Sequence, residues 1–480
     1  MRDFIRSTPE AEGLRTRDIL LFIKRLKEHG LPMHSILIER HGKLVTELYY
    51  EPFTKDMLHR MYSETKSFVS MAIGCLEAEG KLKLTDRICD YFPEYLPGVV
   101  HPWLQEMTIE SMLKMETCYD MTVYTKASSS ANWTREFFRA VPTHRSGTVF
   151  KYDTSGTHTL GALVRKLSGK DPLDYLKEKG FDTIGFSKGS TIIKRPDGEG
   201  RCGSGLMAKP SDMMKTAMLL LRDGHDEESG QQILPKDYIR RATSYQTGIA
   251  PNSHEAMGYG YQFWILNENA FMMLGMGSND TLMFRDLDLA VVYTCDSQGI
   301  PAATADIIRL FRETVAGGAS GQPYAADPEA EEELSALAKT LTIPAQGNVV
   351  QDNWQERICG KTIGVMANRA DFQEFKLNFD ANGEGVMQFI RWDKKYELPF
   401  GIGKNVKSKM PGYDLDCYTS AGWLTKDTFL IHVQVLDDEL SSEQFKFAFL
   451  EDGGVTILMN KNEEVLMTEF SGTLNGQLSM

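Results

Sequence analysis

Tyr62-Ser63-Glu64-Thr65-Lys66-Ser67-Phe68-Val69-Ser70-Met71-Ala72-Ile73-Gly74-Cys75-Leu76 is the stretch that decides the reading of this chain. From Ser67 to Glu79 it predicts a helix closed by Gly80, with a small, apolar interior at Val69, Met71, Ala72, Ile73 and Leu76. Ser63 and Lys66 then stand one turn apart on the same face. That spacing suits nucleophilic chemistry. A serine hydroxyl attacks well only when a neighbour takes its proton, and a lysine serves as that neighbour only where burial favours its neutral form. Backbone N–H groups at the helix start add donors for an oxyanion. Read alone, the same residues also describe an N-cap serine followed by a surface lysine.

Two other serines compete. Ser111 and Lys114 repeat the S-x-x-K spacing, but there Thr108 reads as the N-cap and Lys114 as a solvated residue. Gly185-Phe186-Ser187-Lys188-Gly189 matches G-x-S-x-G. A nucleophile elbow needs a strand before the serine and a helix after it. Here a helix end precedes and Ser190-Thr191-Ile192-Ile193 reads as a strand, so the segment is expected to be a polar turn.

Outward from this helix, Ile19–His29 reads as an amphipathic helix, and Ser35–Glu39 and Lys43–Tyr50 as strands joined at His41-Gly42. Ser211–Arg222 is expected to be helical and Leu289–Thr294 a buried strand. Residues 316 to 333 are small and flexible, then acidic, and are read as a linker, with a short helix at Leu334–Leu341 beyond it. Past the linker apolar residues alternate with period two at Phe375–Phe379, Thr428–Val435, Phe445–Phe449 and Val455–Met459. The reading is an α/β or α+β domain over residues 1–322 and an all-β, barrel-like domain over 343–480. Trp354, Trp392 and Trp423 are expected in the core of the latter.

Composition narrows the function. The 480 residues carry a net charge of −13, which disfavours nucleic acid or an anionic membrane surface as partner. No apolar run reaches the ~18 residues of a membrane span, and the N-terminal stretch lacks the apolar core of a secretory signal. Seven scattered cysteines, never as C-x-x-C, are expected to be reduced and mostly buried, which points to the cytoplasm. The ten histidines show no metal-ligand spacing, so neither metal nor cofactor is expected. The partner expected is a small-molecule or peptide substrate; oligomeric state is not legible.

Several segments, in order, resemble the serine β-lactamase-like hydrolases, the family of class C β-lactamases, D-alanyl-D-alanine peptidases, related esterases and 6-aminohexanoate-oligomer hydrolases. They are P-E-A-E-G at 9–13, the strand pair around Arg40–Val45, Tyr62–Ser67, Glu79–Leu82, Leu84–Asp86 with Tyr91–Pro93, Thr108–Met115, Pro142–Gly169, Gly203–Gly224 and Gly258–Trp264. The resemblance spans residues 9 to 314. It implies a β-lactamase/transpeptidase-like fold, an antiparallel sheet flanked by helices plus a helical subdomain. It implies Ser63 as nucleophile, Lys66 as base and Tyr152 as proton-transfer partner.

The chain departs from that pattern twice. Where the family has Tyr-x-Asn, Tyr152-Asp153-Thr154 keeps the phenol but puts Thr154 in place of a carboxamide. Where the family has a cation in Lys- or His-x-Gly, Met273-Leu274-Gly275-Met276-Gly277-Ser278-Asn279 has none and looks more like the esterase and oligoamide-hydrolase branches. A backbone N–H near Met276 or Gly277 is expected to complete the oxyanion hole, with Thr154, Tyr119 and Trp133 near the substrate. A charged hydrogen bond is worth ~1.5–3 kcal/mol, so the missing cation argues against efficient carboxylate recognition. The expected function is cleavage of an ester or amide through an acyl-Ser63 intermediate. Weak β-lactamase or penicillin-binding activity, and a non-catalytic binding protein on the same fold, are the rival readings.

Overall fold

The structure, a computed structural model, describes residues 3–123, 132–250, 255–347, 354–436, 441–462 and 467–479. The chain divides into two compact units, Met1–Ile343 and Pro344–Met480.

In the first unit the named elements are α1 (Thr16–Glu28), β1 (Met33–Arg40), β2 (Lys43–Tyr49), α2 (Thr65–Ala78), α3 (Thr154–Ser168), α4 (Pro210–Leu221), β3 (Thr247–Gly248), β4 (Gly258–Tyr259), β5 (Trp264–Asn267), β6 (Ala270–Gly275), β7 (Asn279–Phe284), β8 (Leu289–Cys295), α5 (Ala303–Phe311) and α6 (Pro328–Ala338). The eight strands make one antiparallel sheet in the order β2-β1-β8-β7-β6-β5-β4-β3. His41 (φ 52°) and Gly42 (φ 78°) join β1 to β2 with positive φ at both turn positions, the geometry that matches the twist of a two-residue hairpin. Alternation along β7 divides the sheet's two faces. Met283 packs in the cluster that holds Met213, Met214 and Ala217 of α4, whereas Phe284 turns the other way and stacks on Phe311 of α5. Phe311 in turn meets Phe22 of α1, so α1 and α5 cover that face.

Helix α2 is buried continuously from Thr65 to Leu76. A helix apolar all round has no solvent face and becomes the centre of its domain. Gly74 permits this packing, because a Cβ there would lie 2.3 Å from the Tyr238 ring.

The segment read as a linker has more structure than expected. Helix α6 starts at Pro328, inside the acidic run, capped by Asp327, whose carboxylate accepts the Ala330 N–H at 3.1 Å. Arg17 of α1 grips Asp327 at 2.7 Å. Glu329 and Glu331 lie in the first turn, where the helix dipole favours negative charge. Residues up to Ile343 therefore belong to the first unit.

Among its described residues the second unit has ten strands: β9 (Thr362–Val365), β10 (Phe372–Phe379), β11 (Glu384–Arg391), β12 (Lys394–Ile402), β13 (Val406–Met410), β14 (Leu415–Thr425), β15 (Thr428–Val435), β16 (Ser442–Phe449), β17 (Gly454–Lys461) and β18 (Gly472–Leu478). Their order is β12-β11-β10-β9-β18-β17-β16-β15-β14-β13, and β12 also pairs with β14 in parallel through Gly401–Ser420, which closes the sheet into a barrel. Phe375, Phe400, Trp423, Phe429 and Phe447 fill the interior, and Trp354 stacks on Phe449. Trp392 corrects the expectation of a third core tryptophan. It is 57% exposed in the β11–β12 turn (φ 50°), with the Arg391 guanidinium 3.7 Å from its ring.

Candidate active site

Ser63 lies in a single 3₁₀ turn, Tyr62–Glu64, that runs into α2. Tyr62 holds φ 43°, a conformation costly for a bulky residue, by about 1–3 kcal/mol, and kept only where surrounding packing enforces it. Here Tyr62 is buried with the Arg60 guanidinium 4.5 Å from its ring. One helical turn on, Lys66 is 1% exposed. Its Nζ donates to Ser63 Oγ at 2.9 Å and to the Gly203 carbonyl at 2.7 Å. Tyr152 completes the group. Its phenol hydrogen-bonds Ser63, and its ring centroid is 4.9 Å from Lys66 Nζ. Burial pushes the phenol pKa upward and the Ser63 hydrogen bond opposes it, so the hydroxyl is protonated at neutral pH.

Each partner is placed by local chemistry. Asp153 caps α3, accepting the Ser155 N–H at 2.8 Å and the Thr117 hydroxyl at 3.0 Å, which aims the neighbouring Tyr152. The Tyr152 ring stacks on Trp264 (5.6 Å, 25°) and meets Tyr259 edge-on at 6.5 Å. Ser67 and Ser70 donate to the carbonyls of Gln262 and Tyr261, both at 2.7 Å, tying α2 to the segment before β5. Gln262 also accepts from Thr157 of α3 at 2.6 Å and donates to the Leu113 carbonyl at 2.9 Å. Sequence reasoning missed Gln262, Gly203 and Trp264 as individuals, although each falls inside a segment it had singled out.

Strand β6 ends beside the nucleophile. A Cβ at Gly275 would lie 2.5 Å from the Met61 carbonyl oxygen, so only glycine allows this approach. Met276 and Gly277 (φ 79°) form the turn beyond, and Asn279 Nδ2 donates to the Met276 carbonyl at 2.8 Å. Next to this turn a cavity of about 390 Å³ is lined by Met276, Gln298, Ile300 and Thr304 among others, and among the described residues none of its lining is ionisable. Thr154 packs its methyl against Gly203: a Cβ on Gly203 would stand 2.4 Å from Thr154 Cγ2.

Two expected pocket residues do other work. Tyr119 is 1% exposed, its ring edge-on to Phe137 and its hydroxyl bonded to the Phe137 carbonyl at 2.6 Å. Trp133 lies under the Arg195 guanidinium, 4.0 Å from its ring, and edge-on to His158. Both are buried in this packing. Ser187 is buried in a turn with its N–H on Asp212 Oδ1 at 2.8 Å, and the neighbouring Phe186 packs edge-on to Phe68 of α2. Ser111 closes a capping box with Thr108, as expected, while Lys114 pairs with Glu116 at 2.8 Å instead of standing free in solvent. Cys75, Cys89, Cys118, Cys202, Cys295 and Cys417 are buried free thiols, and Cys359 is exposed.

The fold agrees with comparison to known proteins. The chain belongs to the beta-lactamase family, whose profile matches residues 20–314. It is 20% identical over 280 residues to the 6-aminohexanoate-dimer hydrolase of Paenarthrobacter ureafaciens, covering 52% of this chain and 69% of that one. A Bacillus anthracis protein provisionally named a 6-aminohexanoate-dimer hydrolase superposes with a TM-score of 0.54 at 20% identity, over 65% of this chain and 88% of that one. A penicillin-binding protein homologue from Caulobacter crescentus gives 0.51 at 14% identity, over 65% and 99%. Those likenesses carry the fold. Among the described residues, no helix is long and apolar enough to cross a membrane.

Proposed function

We propose that this chain is a serine hydrolase that cleaves an ester or amide of a small molecule or peptide through a covalent acyl-Ser63 intermediate. The observation that carries the reading is the hydrogen-bonded group of Ser63, buried Lys66 and Tyr152. Ser63 Oγ attacks the carbonyl carbon as its proton passes to Lys66, with Tyr152 entering as a neutral relay, since burial holds its phenol protonated. The backbone N–H groups of Ser63 and of the Met276 turn receive the oxyanion. Tyr152 passes the proton to the leaving group, and water attacks the acyl-enzyme by the same relay in reverse.

Substrate chemistry follows from the Met276 side. Met273 to Asn279 offers no cation, and among the described residues the adjoining cavity has no ionisable lining. An uncharged group beside the scissile bond suits it better than a carboxylate, which favours ester and amide substrates over penicillins. Hydrolysis of a p-nitrophenyl ester panel, with fluorophosphonate labelling read by intact mass, tests the proposal. Wild type is expected to turn over and label, and Ser63→Ala to do neither. Labelling that persists in Ser63→Ala would overturn it.

A further inference from the structure

Behind the nucleophile the structure buries two carboxyl groups that acyl transfer does not use. Glu64, 1% exposed, directly follows Ser63, and Asp280, wholly buried, is the second residue of β7. Thr281 donates its hydroxyl to Glu64 Oε2 at 2.7 Å. The Gly275 N–H, at the end of β6, donates to Asp280 Oδ1 at 3.0 Å. Covalent steps and hydrogen bonds thus alternate along one short path: Ser63, Glu64, Thr281, Asp280, Gly275, Met276. Its two ends are the nucleophile and the turn whose N–H receives the oxyanion. Asn279 braces the same turn from the other side, its Nδ2 on the Met276 carbonyl and its Oδ1 accepting the Cys295 N–H at 3.3 Å.

We infer that Glu64 and Asp280 are positioning residues, which hold the oxyanion strand at a fixed distance from Ser63 without touching substrate. The inference rests on the acyl-Ser63 reading. An apolar side chain at either position would fill the same space without the desolvation that a buried carboxyl suffers. What the Thr281 and Gly275 hydrogen bonds add, each to one oxygen of a carboxyl, is one defined geometry. Geometry matters here, because a displacement of about 1 Å at a reacting centre can cost on the order of 10²-fold in rate. Burial pushes Asp280 up to about 7 against hydrogen bonds from Tyr293 and the Gly275 N–H. Glu64 is raised well above its ordinary range by burial, with the Thr281 hydroxyl opposing and Asp280 adding a smaller upward push. Tyr293 and Cys295 of β8 face the same space and are themselves shifted upward by burial.

The test is steady-state ester hydrolysis by wild type, Glu64→Ala, Asp280→Ala, Glu64→Gln, Asp280→Asn and Thr281→Val, with thermal melts as the folding control. Removing either carboxyl should lower kcat on the order of 10²-fold and leave KM nearly unchanged. Glu64→Gln and Asp280→Asn keep an acceptor oxygen and should restore most of kcat. Thr281→Val keeps its shape, loses only the donor to Glu64, and should lower kcat about tenfold while still folding if an alanine variant does not. Wild-type kcat in Thr281→Val and the alanine variants would overturn the inference. So would a loss expressed in KM alone, or one that the amide variants share in full. A wild type that never acylates at Ser63 sinks the catalytic reading and this one together, whereas active wild type with indifferent variants sinks only this one.

Discussion

The two units of this chain bury different materials. Under the sheet of the first lie Glu64, Lys66, Asp153, Asp212 and Asp280, each with a hydrogen-bond partner. The barrel of the second is filled by Phe375, Phe400, Trp423, Phe429 and Phe447. Buried polar groups cost free energy unless they are satisfied, and when satisfied they specify geometry. Buried aromatic rings supply packing and area without directing chemistry. The second unit buries ionisable groups too, Glu443 among them, but the hydrogen-bonded cluster around Ser63 lies in the first, which is where function is to be sought.

Four experiments can break or sharpen that contrast. The largest effect is expected from Lys66→Ala, a loss of about 10²–10⁴-fold in kcat/KM with the fold intact, read by ester hydrolysis and circular dichroism. Near-wild-type turnover would leave Ser63 without its base. In the barrel, Trp423→Ala should lower stability by about 3–5 kcal/mol in denaturant titration, while turnover in the absence of denaturant stays as in wild type. A matching loss of turnover would mean the barrel contributes to catalysis. Gly74→Ala drives a methyl into the Tyr238 ring and should cost about 1–3 kcal/mol, seen as a lower melting temperature.

The last experiment concerns pH. Asp280 titrates near 7 when folded, against an ordinary 3.8, so the folded state binds its proton more tightly than the unfolded chain does. Its contribution is therefore fullest in acid and is lost as pH rises from about 4 through 7, by up to about 1.4 kcal/mol per pH unit. Asp280→Asn should remove that slope. His34, His59 and His432, whose pKa values burial lowers, act in the opposite sense, with stability growing as pH rises out of acid. The difference between variant and wild type cancels their share. An unchanged slope in Asp280→Asn would show that Asp280 is ionised in the folded protein.

Much of the fold was legible because its elements repeat simple periods. Helix α1 is amphipathic, α2 small and apolar through its interior, and β16 and β17 alternate with period two. Other barrel strands escaped because polar residues dominate them: β13 reads Val406-Lys407-Ser408-Lys409-Met410, and its ladder comes from pairing with β14 rather than from propensity. Helix α6 was placed six residues late, since an acidic run reads as a solvated linker until Arg17 and the Asp327 cap are seen beside it. The exposure of Trp392 was equally invisible, because a turn can turn an aromatic residue outward against its composition.

By itself the sequence determined the chemistry available: a serine and a lysine one helical turn apart, a tyrosine in a second segment, no cation near Met276, and a second domain of alternating strands. Those features depend on neighbours a few residues apart, and local spacing carries them. Only the tertiary structure decided which residues meet: Tyr152 at Ser63, Gly203 under Lys66, Gly275 against Met61, and Glu64 joined to Asp280 through Thr281. Such contacts link positions tens to hundreds of residues apart, and a side chain's partner there is set by packing, which no local pattern encodes.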